Sequence, residues 1–193
     1  MPDLVIIFGP PACGKAAIGH ELAKLTGFRF FHNHMTAEPV AALFGWDTPM
    51  YSETAAEIRL LLLSKALDED GSPSIIFTFV WAFDLDTDNL FIAQLVSIAK
   101  ERGRETYFVE LTSSREARMA REGTPFRLEH KPAKRDVKRA RALHARIDAK
   151  HKMNSEGDFP YPSHHVIIDT EAQEPMESAQ KIVSSFGFSV ESQ

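Results

Sequence analysis

The chain has 193 residues, of which 44% are hydrophobic and 25% are charged, and this composition is ordinary for a globular protein with one α/β core. No apolar run approaches the roughly 20 residues that a membrane-spanning helix needs, so we expect neither a membrane protein nor a membrane anchor. The net charge of −5 excludes a generally basic surface of the kind that binds nucleic acid.

Short apolar runs alternate with longer helical patterns, which predicts βαβ units and a parallel sheet. The first run, LVIIF, is β-branched and aromatic, as expected for a strand buried on both faces. The predicted strands are 4–8, 28–32, 74–80, 105–111 and 165–169. The predicted helices are 15–26, 54–68, 86–102, a helix capped by the pair Ser113 and Glu116, 132–153 and 175–186. The predicted loops are 45–52, 122–131 and 154–163.

A glycine-rich segment separates the first predicted strand from the first predicted helix. It fits the pattern G-x-x-x-x-G-K in the strand–loop–helix context that this pattern requires. Glycines let consecutive N–H groups turn inward, the helix N-terminus adds a partial positive charge, and the lysine adds a full one. The sequence therefore predicts that ATP or a similar nucleotide binds Gly9, Pro10, Pro11, Ala12, Cys13, Gly14, Lys15, Ala16 and Ala17.

The segment Gly9-Pro-Pro-x-x-Gly-Lys15 resembles the P-loop of the small-molecule kinases, the group that holds adenylate, shikimate and chloramphenicol kinases. The resemblance implies a three-layer α/β/α P-loop fold, with five parallel strands in the order 2-3-1-4-5 and a helical lid. It also implies transfer of the terminal phosphoryl group of ATP, with Mg²⁺, to a small-molecule acceptor. We expect residues 1–193 to form a single nucleotide-binding domain with the lid at about 115–135.

Two groups that would hold Mg²⁺ in such a kinase are missing. Ala16 stands where the motif has Ser or Thr, and Ala17 cannot supply the hydroxyl. The third predicted strand carries no carboxylate, and the first one after it is Asp84. Because phosphoryl transfer depends on charge neutralisation, two functions stay open: a kinase, or a nucleotide-binding sensor or sequestering module without transfer. A nucleic-acid-end kinase is a third, less favoured alternative.

Candidate acid–base residues follow the second and third predicted strands. His32 and His34 stand where the resembling kinases often carry an aspartate that faces the acceptor, and in an extended strand they would share a face. Their imidazoles could bind the acceptor or remove its proton, with His34 the predicted catalytic one. Asp84 is a second candidate base. For the histidines, the alternatives are two polar residues that leave a strand and, less favoured because two histidines are too few for a closed site, metal ligands. For Asp84, with Asp86 and Asp88, the alternative is a solvated helix start.

Arginines recur at every third position in the helix after Ser113. A guanidinium grips phosphate with two hydrogen bonds, and in the resembling kinases lid arginines close over ATP. Arg118 and Arg121 are therefore the predicted nucleotide contacts, Arg121 with a catalytic role, and Arg127 is a predicted acceptor contact. The alternative is a solvated cationic face.

Residues 131–152 form a locally basic segment with nine Lys or Arg and two Asp, a charge of +7 against −12 for the rest of the chain. The apolar stripe of its predicted helix consists of Val137, Ala140, Leu143 and Ile147. No aromatic residues are interleaved for base stacking, so nucleic acid is not favoured as a partner. The segment could instead flank the lid and attract anionic substrates, or form a solvated helix face. Cys13 is the one cysteine, which excludes an internal disulfide and favours a reduced, cytoplasmic setting. Nothing in the sequence indicates an oligomeric state or the identity of the acceptor.

Overall fold

The computed structural model describes residues 3–46, 48–68, 71–121 and 137–191. Within these ranges, five strands form one parallel sheet in the order β2-β3-β1-β4-β5, which confirms the predicted order. The strands are β1 (Leu4–Phe8), β2 (Arg29–His32), β3 (Ile75–Phe79), β4 (Thr106–Thr112) and β5 (His165–Asp169). The helices are α1 (Lys15–Thr26), α2 (His34–Phe44), α3 (Pro49–Asp68), α4 (Asp86–Glu101), α5 (Arg115–Arg121), α6 (Val137–Lys150) and α7 (Pro175–Phe186).

Strand β1 lies at the centre of the sheet, and all five of its side chains are fully buried. Leu4, Ile6 and Phe8 face one core layer, which α3 and α4 cover. Val5 and Ile7 face the opposite layer, which α1 and α7 cover. The continuous apolar run thus serves both faces of the sheet, and the predicted three-layer α/β/α fold is confirmed.

Helix α2 was not predicted, and α3 begins at Pro49, inside a predicted loop. The backbone of Asn33 precedes α2, and no side chain caps the helix. The small residues Thr36, Ala37 and Ala41 are buried beneath it, where α2 packs against α3. Packing between the two helices stabilises α2 in place of the local start signals that its sequence lacks.

The N-terminus of α5 differs from the prediction by one residue. Ser114, not Ser113, is the capping residue, because its Oγ accepts a hydrogen bond from the N–H of Ala117. Glu116 is then one position too early for the reciprocal capping-box contact. Glu174 and Glu177 form a capping box at the start of α7 instead.

Four predicted features lie wholly or partly outside the described residues. These are the acceptor contact Arg127, the lid beyond Arg121, the loop 122–131 and the first part, 132–136, of the basic helix, and there they stay predictions. The described part of the basic helix confirms an amphipathic α6, with Ala140 buried and Lys138, Arg141 and Arg146 exposed. No helix in the described part of the chain is both long and apolar enough to cross a membrane.

Candidate active site

The loop between β1 and α1 has the backbone geometry of an anion-binding turn. Gly9 has φ 137° and Gly14 has φ 99°, and both values are in the region that favours glycine. A Cβ at Gly9 would lie 2.4 Å from the carbonyl oxygen of Leu111, so a side chain there would collide with β4. Ala12 has φ 65°, which costs an alanine about 1 kcal/mol. Unfavourable backbone geometry of this kind concentrates at functional sites, which supports a binding role for the loop.

Lys15 begins α1 and folds over the loop. Its Nζ donates hydrogen bonds to the carbonyl oxygens of Gly9 at 2.7 Å and Pro10 at 2.6 Å, and lies 3.5 Å from Cys13 Sγ. Ala16 and Ala17 follow it in the first helical turn, where N–H groups have no partner within the helix. A full positive charge and first-turn amides therefore occupy one end of α1, as the sequence predicted.

A cavity of about 180 Å³ lies against this loop; we call it the phosphate-loop cavity. It brings together the loop, the carboxyl ends of β2 and β3, and helix α6. Its walls are Pro11, Ala12, Lys15, Ala16, His32, Asn33, His34, Thr78, Val80, His144 and Ile147. The loop lysine and both predicted histidines thus share one cavity.

The two histidines reach this cavity by a route that differs from the prediction. They do not share the face of an extended strand, because β2 ends at His32 and α2 begins at His34. Their ring centroids lie 6.4 Å apart. His34 Nδ1 is 3.4 Å from Glu38 Oε1, one helical turn further along. The turn at Asn33 therefore places both imidazoles beside the loop.

His144 on α6 is a third imidazole in the same cavity, and the sequence analysis missed it. It is 1% exposed, more deeply buried than Leu143, which the predicted stripe contained. Ala140, His144 and Ile147 have the spacing i, i+4, i+7 of one helix face. A search for this spacing that included polar residues would have identified His144.

A larger cavity of about 700 Å³ lies between α3 and α4; we call it the α3–α4 cavity. Asn33 and Val80 line both this cavity and the phosphate-loop cavity. The N–H of Asn33 donates to Thr78 Oγ1 at 3.3 Å, which joins the ends of β2 and β3 at this boundary. The two cavities therefore adjoin at the carboxyl edge of the sheet, where ligands bind in open α/β folds.

No protein-family model and no curated protein matches the sequence. Solved structures match it over almost its whole length. A kinase candidate from Chloroflexus aurantiacus superposes with a TM-score of 0.65 at 18% identity, over 95% of this chain and 98% of that one. A gluconokinase from Sinorhizobium meliloti gives 0.59 at 13% identity, over 96% and 92%. The APS kinase of Mycobacterium tuberculosis, in complex with AMPPNP and APS, gives 0.59 at 13% identity, over 96% and 98%.

This chain therefore has the same fold as these solved structures. At such identities the likeness establishes architecture, and the chemistry depends on the residues of this chain.

Arg118 and Arg121 both lie behind the loop rather than on a solvated face. Arg118 is buried, donates to both carboxylate oxygens of Asp148 on α6, and donates to the carbonyl oxygen of Pro11 at 3.3 Å. Arg121 donates to the hydroxyl and the carbonyl oxygen of Thr170. Thr170 Oγ1 is in turn 3.0 Å from the carbonyl oxygen of Cys13. Both arginines thus connect α5 to the loop backbone.

The structure does not bring Asp84 together with Lys15 and His34. Asp84 lines a separate cavity of about 610 Å³, with Pro10 and Arg118. Its Oδ2 is 3.0 Å from His151 Nδ1, and its Oδ1 accepts from the N–H of Lys152 at 2.9 Å. These two hydrogen bonds lower the pKa of the Asp84 carboxyl, which makes it a weaker base.

The described residues near the loop lack the two protein groups that the motif uses for Mg²⁺. Ala16 has no hydroxyl, and β3 and the two residues after it carry no carboxylate. Thr78 presents a single hydroxyl to the phosphate-loop cavity. Over the described ranges, no group of three or more His, Cys, Asp or Glu side chains is placed to hold a metal ion. Mg²⁺ usually keeps several waters and binds one or two protein groups beside the phosphates of its substrate, so at this loop most of its ligands would be water and phosphate oxygens.

Glu110 on β4 is a buried carboxylate that the sequence analysis did not single out. It is 1% exposed and accepts hydrogen bonds from Ser155 N–H at 2.8 Å, Ser155 Oγ at 2.7 Å and Asn154 Nδ2 at 2.9 Å, with His165 Nε2 at 3.0 Å. Burial raises the pKa of Glu110, but these hydrogen bonds outweigh it and hold the pKa at about 2. Glu110 thus fixes the segment after α6 against the sheet.

Proposed function

We propose that this chain is a kinase that transfers the terminal phosphoryl group of ATP to a hydroxyl group of a small-molecule acceptor. The observation that carries the proposal is the junction of the two cavities at Asn33 and Val80. ATP would occupy the loop and the phosphate-loop cavity, and the acceptor the α3–α4 cavity. This arrangement places the donor phosphate next to the acceptor at the edge of the sheet, as in-line transfer requires.

The reaction forms one P–O bond and breaks another. The acceptor oxygen attacks the terminal phosphorus, ADP leaves, and the hydroxyl proton passes to a base. His34 and His32 are the proposed bases, since they line the phosphate-loop cavity while Asp84 does not. Lys15 neutralises phosphate charge, and His144 adds a donor from the α6 side.

The arginines have a supporting role in this proposal. Arg118 holds the Pro11 carbonyl and Arg121 holds Thr170, so both stabilise the loop from behind. A phosphate contact by Arg121, the predicted catalytic arginine, requires it to exchange its hydrogen bonds to Thr170 for bonds to nucleotide. Mg²⁺ would enter as the ion that accompanies ATP, because among the described residues Ala16 supplies no hydroxyl and β3 no carboxylate to hold it.

A second candidate function is nucleotide binding without transfer, as in a sensor. Ala16 and the absence of a carboxylate on β3 favour it, because both changes remove groups that neutralise charge on the transferring phosphoryl group. Nucleotide binding depends less on these groups than transfer does. Binding and transfer therefore have to be measured separately.

The test begins with calorimetric titration of ATP into the wild type, Lys15→Met and Lys24→Met. Lys24 lies on the same helix and pairs with Glu21 at the surface, so it is a matched control. We expect binding that Lys15→Met weakens at least tenfold and Lys24→Met leaves unchanged. Equal binding by all three proteins would contradict the loop assignment.

Transfer is then followed by ³¹P NMR with ATP and a library of hydroxylated small molecules. Appearance of ADP together with a new phosphate ester supports the kinase proposal. Nucleotide binding without ester formation across the library, even with Mg²⁺ present, would favour the sensor.

A further inference from the structure

Thr170 follows β5 directly and joins three parts of the fold behind the loop between β1 and α1. It is 3% exposed, and its Oγ1 lies 3.0 Å from the carbonyl oxygen of Cys13 and 3.1 Å from that of Thr112. The N–H of Thr170 already donates to the Thr112 carbonyl at 2.9 Å, and Arg121 Nη1 donates to Oγ1 at 3.2 Å. A hydroxyl has one proton to donate, and the closer acceptor for it is the Cys13 carbonyl.

This hydrogen bond sets the direction of the peptide between Cys13 and Gly14. In a trans peptide the carbonyl and the N–H point in opposite directions. Since the Cys13 carbonyl points to Thr170, the N–H of Gly14 points away from Thr170. The walls of the phosphate-loop cavity include Ala12 and Lys15 but not Thr170, so the cavity is on the opposite side of the loop backbone. The Gly14 N–H is therefore turned towards the cavity.

A second anchor acts two residues earlier in the loop. Arg118 Nη1 donates to the carbonyl oxygen of Pro11 at 3.3 Å, and Arg118 also lies behind the loop. The same peptide geometry turns the N–H of Ala12 towards the cavity. The carbonyls of Pro11 and Cys13 are thus held outwards while the amides of Ala12 and Gly14 point inwards. This alternation is the arrangement of a backbone nest that binds an anion.

The bond from Thr170 also makes the Gly14 amide a stronger donor. Hydrogen bonds that form a chain polarise one another, by roughly 10–30% per bond. A hydroxyl that donates to the Cys13 carbonyl draws electron density from the same peptide unit, which leaves the Gly14 N–H more positive. The chain that begins at the Thr170 hydroxyl would end on an oxygen of the bound phosphate.

We propose that Thr170 is a positioning residue for phosphate binding: its hydroxyl, through the Cys13 carbonyl, orients the Gly14 amide towards the phosphates of the nucleotide. Arg118 orients the Ala12 amide in the same way. The contact of these amides with phosphate rests on the nucleotide binding proposed above. The orientation of the two peptides does not, because contacts within the chain set it.

The test compares Thr170→Val, which keeps the shape of the side chain without its hydroxyl, with Thr170→Ser, which keeps the hydroxyl. Thr26→Val is the matched control, because Thr26 is a buried threonine at the other end of α1 whose Oγ1 also donates to a backbone carbonyl, that of Leu22 at 2.7 Å. Calorimetry measures the affinity for ATP. Backbone ¹H–¹⁵N NMR follows the amides of Gly14 and Ala12, and urea unfolding shows whether each variant is folded.

We expect Thr170→Val to weaken ATP binding about tenfold, and Thr170→Ser and Thr26→Val to stay within about twofold of the wild type. Without nucleotide, the Gly14 ¹⁵N resonance should move in Thr170→Val, because its peptide has lost a polarising bond, and Thr170→Ser should restore it. When ATP is added to Thr170→Val, the Gly14 amide proton should shift less than in the wild type. The Ala12 amide proton, which Arg118 orients, should shift as in the wild type.

Thr170→Val also removes a hydrogen-bond acceptor of Arg121, and a double variant separates the two effects. We expect Thr170→Val to weaken ATP binding by the same factor in an Arg121→Met background, because the bond to Cys13 does not involve Arg121. An effect that disappears in that background would assign it to Arg121 and overturn the proposal.

Equal ATP affinity in the wild type and in folded Thr170→Val, an equal loss in Thr26→Val, or an unmoved Gly14 resonance would also overturn it. Should Thr170→Val fail to fold, the wild type decides, since Gly14 and Ala12 amide protons that do not shift when ATP binds contradict the inward orientation. The proposed function fails separately: a wild type that binds no ATP removes it, whereas ATP binding that ignores the Thr170 hydroxyl removes the positioning role alone.

Discussion

Arg118 and Asp148 form a two-point ion pair, with N–O distances of 3.0 and 2.9 Å, that joins α5 to α6. Their side chains are 7% and 15% exposed, and Arg118 also donates to the carbonyl oxygen of Pro11 in the loop between β1 and α1. Arg118, which the sequence predicts as a nucleotide contact, thus links α5 to α6 and to the loop between β1 and α1. The pair holds α6, and with it His144, against the loop.

Removal of one partner should therefore destabilise the protein. We expect Asp148→Ala to lower the free energy of unfolding by about 3 kcal/mol, because it leaves Arg118 charged and buried. Urea unfolding measures the change. The control is Glu156→Ala, which breaks an exposed pair with Lys152 and should have a much smaller effect.

A double-mutant cycle tests the same link. Arg118→Met combined with Asp148→Leu should cost at least about 1 kcal/mol less than the sum of the single changes, because no unpaired charge remains. Additive effects would show that the two side chains do not act as a pair.

The histidines of the phosphate-loop cavity should affect nucleotide chemistry. We expect His34→Ala and His144→Ala each to lower the rate of phosphoryl transfer, or the affinity for ATP where no transfer is seen, by about tenfold to a hundredfold. His20→Ala on the exposed side of α1 is the control and should leave both quantities unchanged. An effect of His20→Ala as large as that of His34→Ala would argue against a local role for the cavity histidines.

Ala16→Ser should increase the effect of Mg²⁺ on ATP binding. It supplies the hydroxyl that the loop lacks, at the first turn of α1, where the residue lines the phosphate-loop cavity. We expect ATP to bind about tenfold more tightly with Mg²⁺ than in the wild type, and no change in EDTA. Ala17→Ser, one position further along the helix, is the matched control. Calorimetry that shows the same Mg²⁺ dependence in all three proteins would contradict the expectation.

Glu110 should make stability fall in acid. Its pKa in the folded protein is about 2, below its ordinary value of 4.5, so its contribution is present above pH 4.5 and lost as the pH falls towards 2. The shift corresponds to roughly 3 kcal/mol. We expect Glu110→Gln to lower the free energy of unfolding at pH 7. We also expect that free energy to fall less between pH 4.5 and 2 than it does in the wild type. Denaturant unfolding at pH 7 and pH 3 measures both.

Glu116 is exposed on α5, and Glu116→Gln is the control. Its free energy of unfolding should change with pH as that of the wild type does. An unchanged pH slope in Glu110→Gln would mean that other groups dominate the acid response.

The sheet could be predicted from the sequence because a parallel strand buried on both faces leaves a continuous apolar run. LVIIF at β1 and IIFTF at β3 carry that signal within a few residues. The loop between β1 and α1 was predictable because its glycines and lysine lie within a few residues of one another in the chain. Helix α2 was not, because its stability depends on contacts with α3 rather than on its own caps.

The wider site depends on pairs that are distant in the chain. Arg118 meets Asp148 across 30 residues, and Arg59 meets Thr36 across 23. In the sequence alone, Arg59 looks like an ordinary surface residue of a helix, and Arg118 is predicted as a nucleotide contact rather than as the partner of Asp148. His144 is a polar residue within an apolar stripe, and its burial is set by the loop that α6 covers. These contacts, and the burial of His144, exist only in the folded chain.

The ammonium of Lys15 already has ligands, the carbonyl oxygens of Gly9 and Pro10. If the loop binds ATP as proposed, the phosphate would have to displace these carbonyl oxygens from the ammonium. The loop backbone would then compete with the nucleotide for Lys15, and the affinity for ATP would be the difference between two sets of hydrogen bonds. The same contacts hold the Lys15 side chain over the loop before any ligand binds, which lowers the entropy cost of placing its charge.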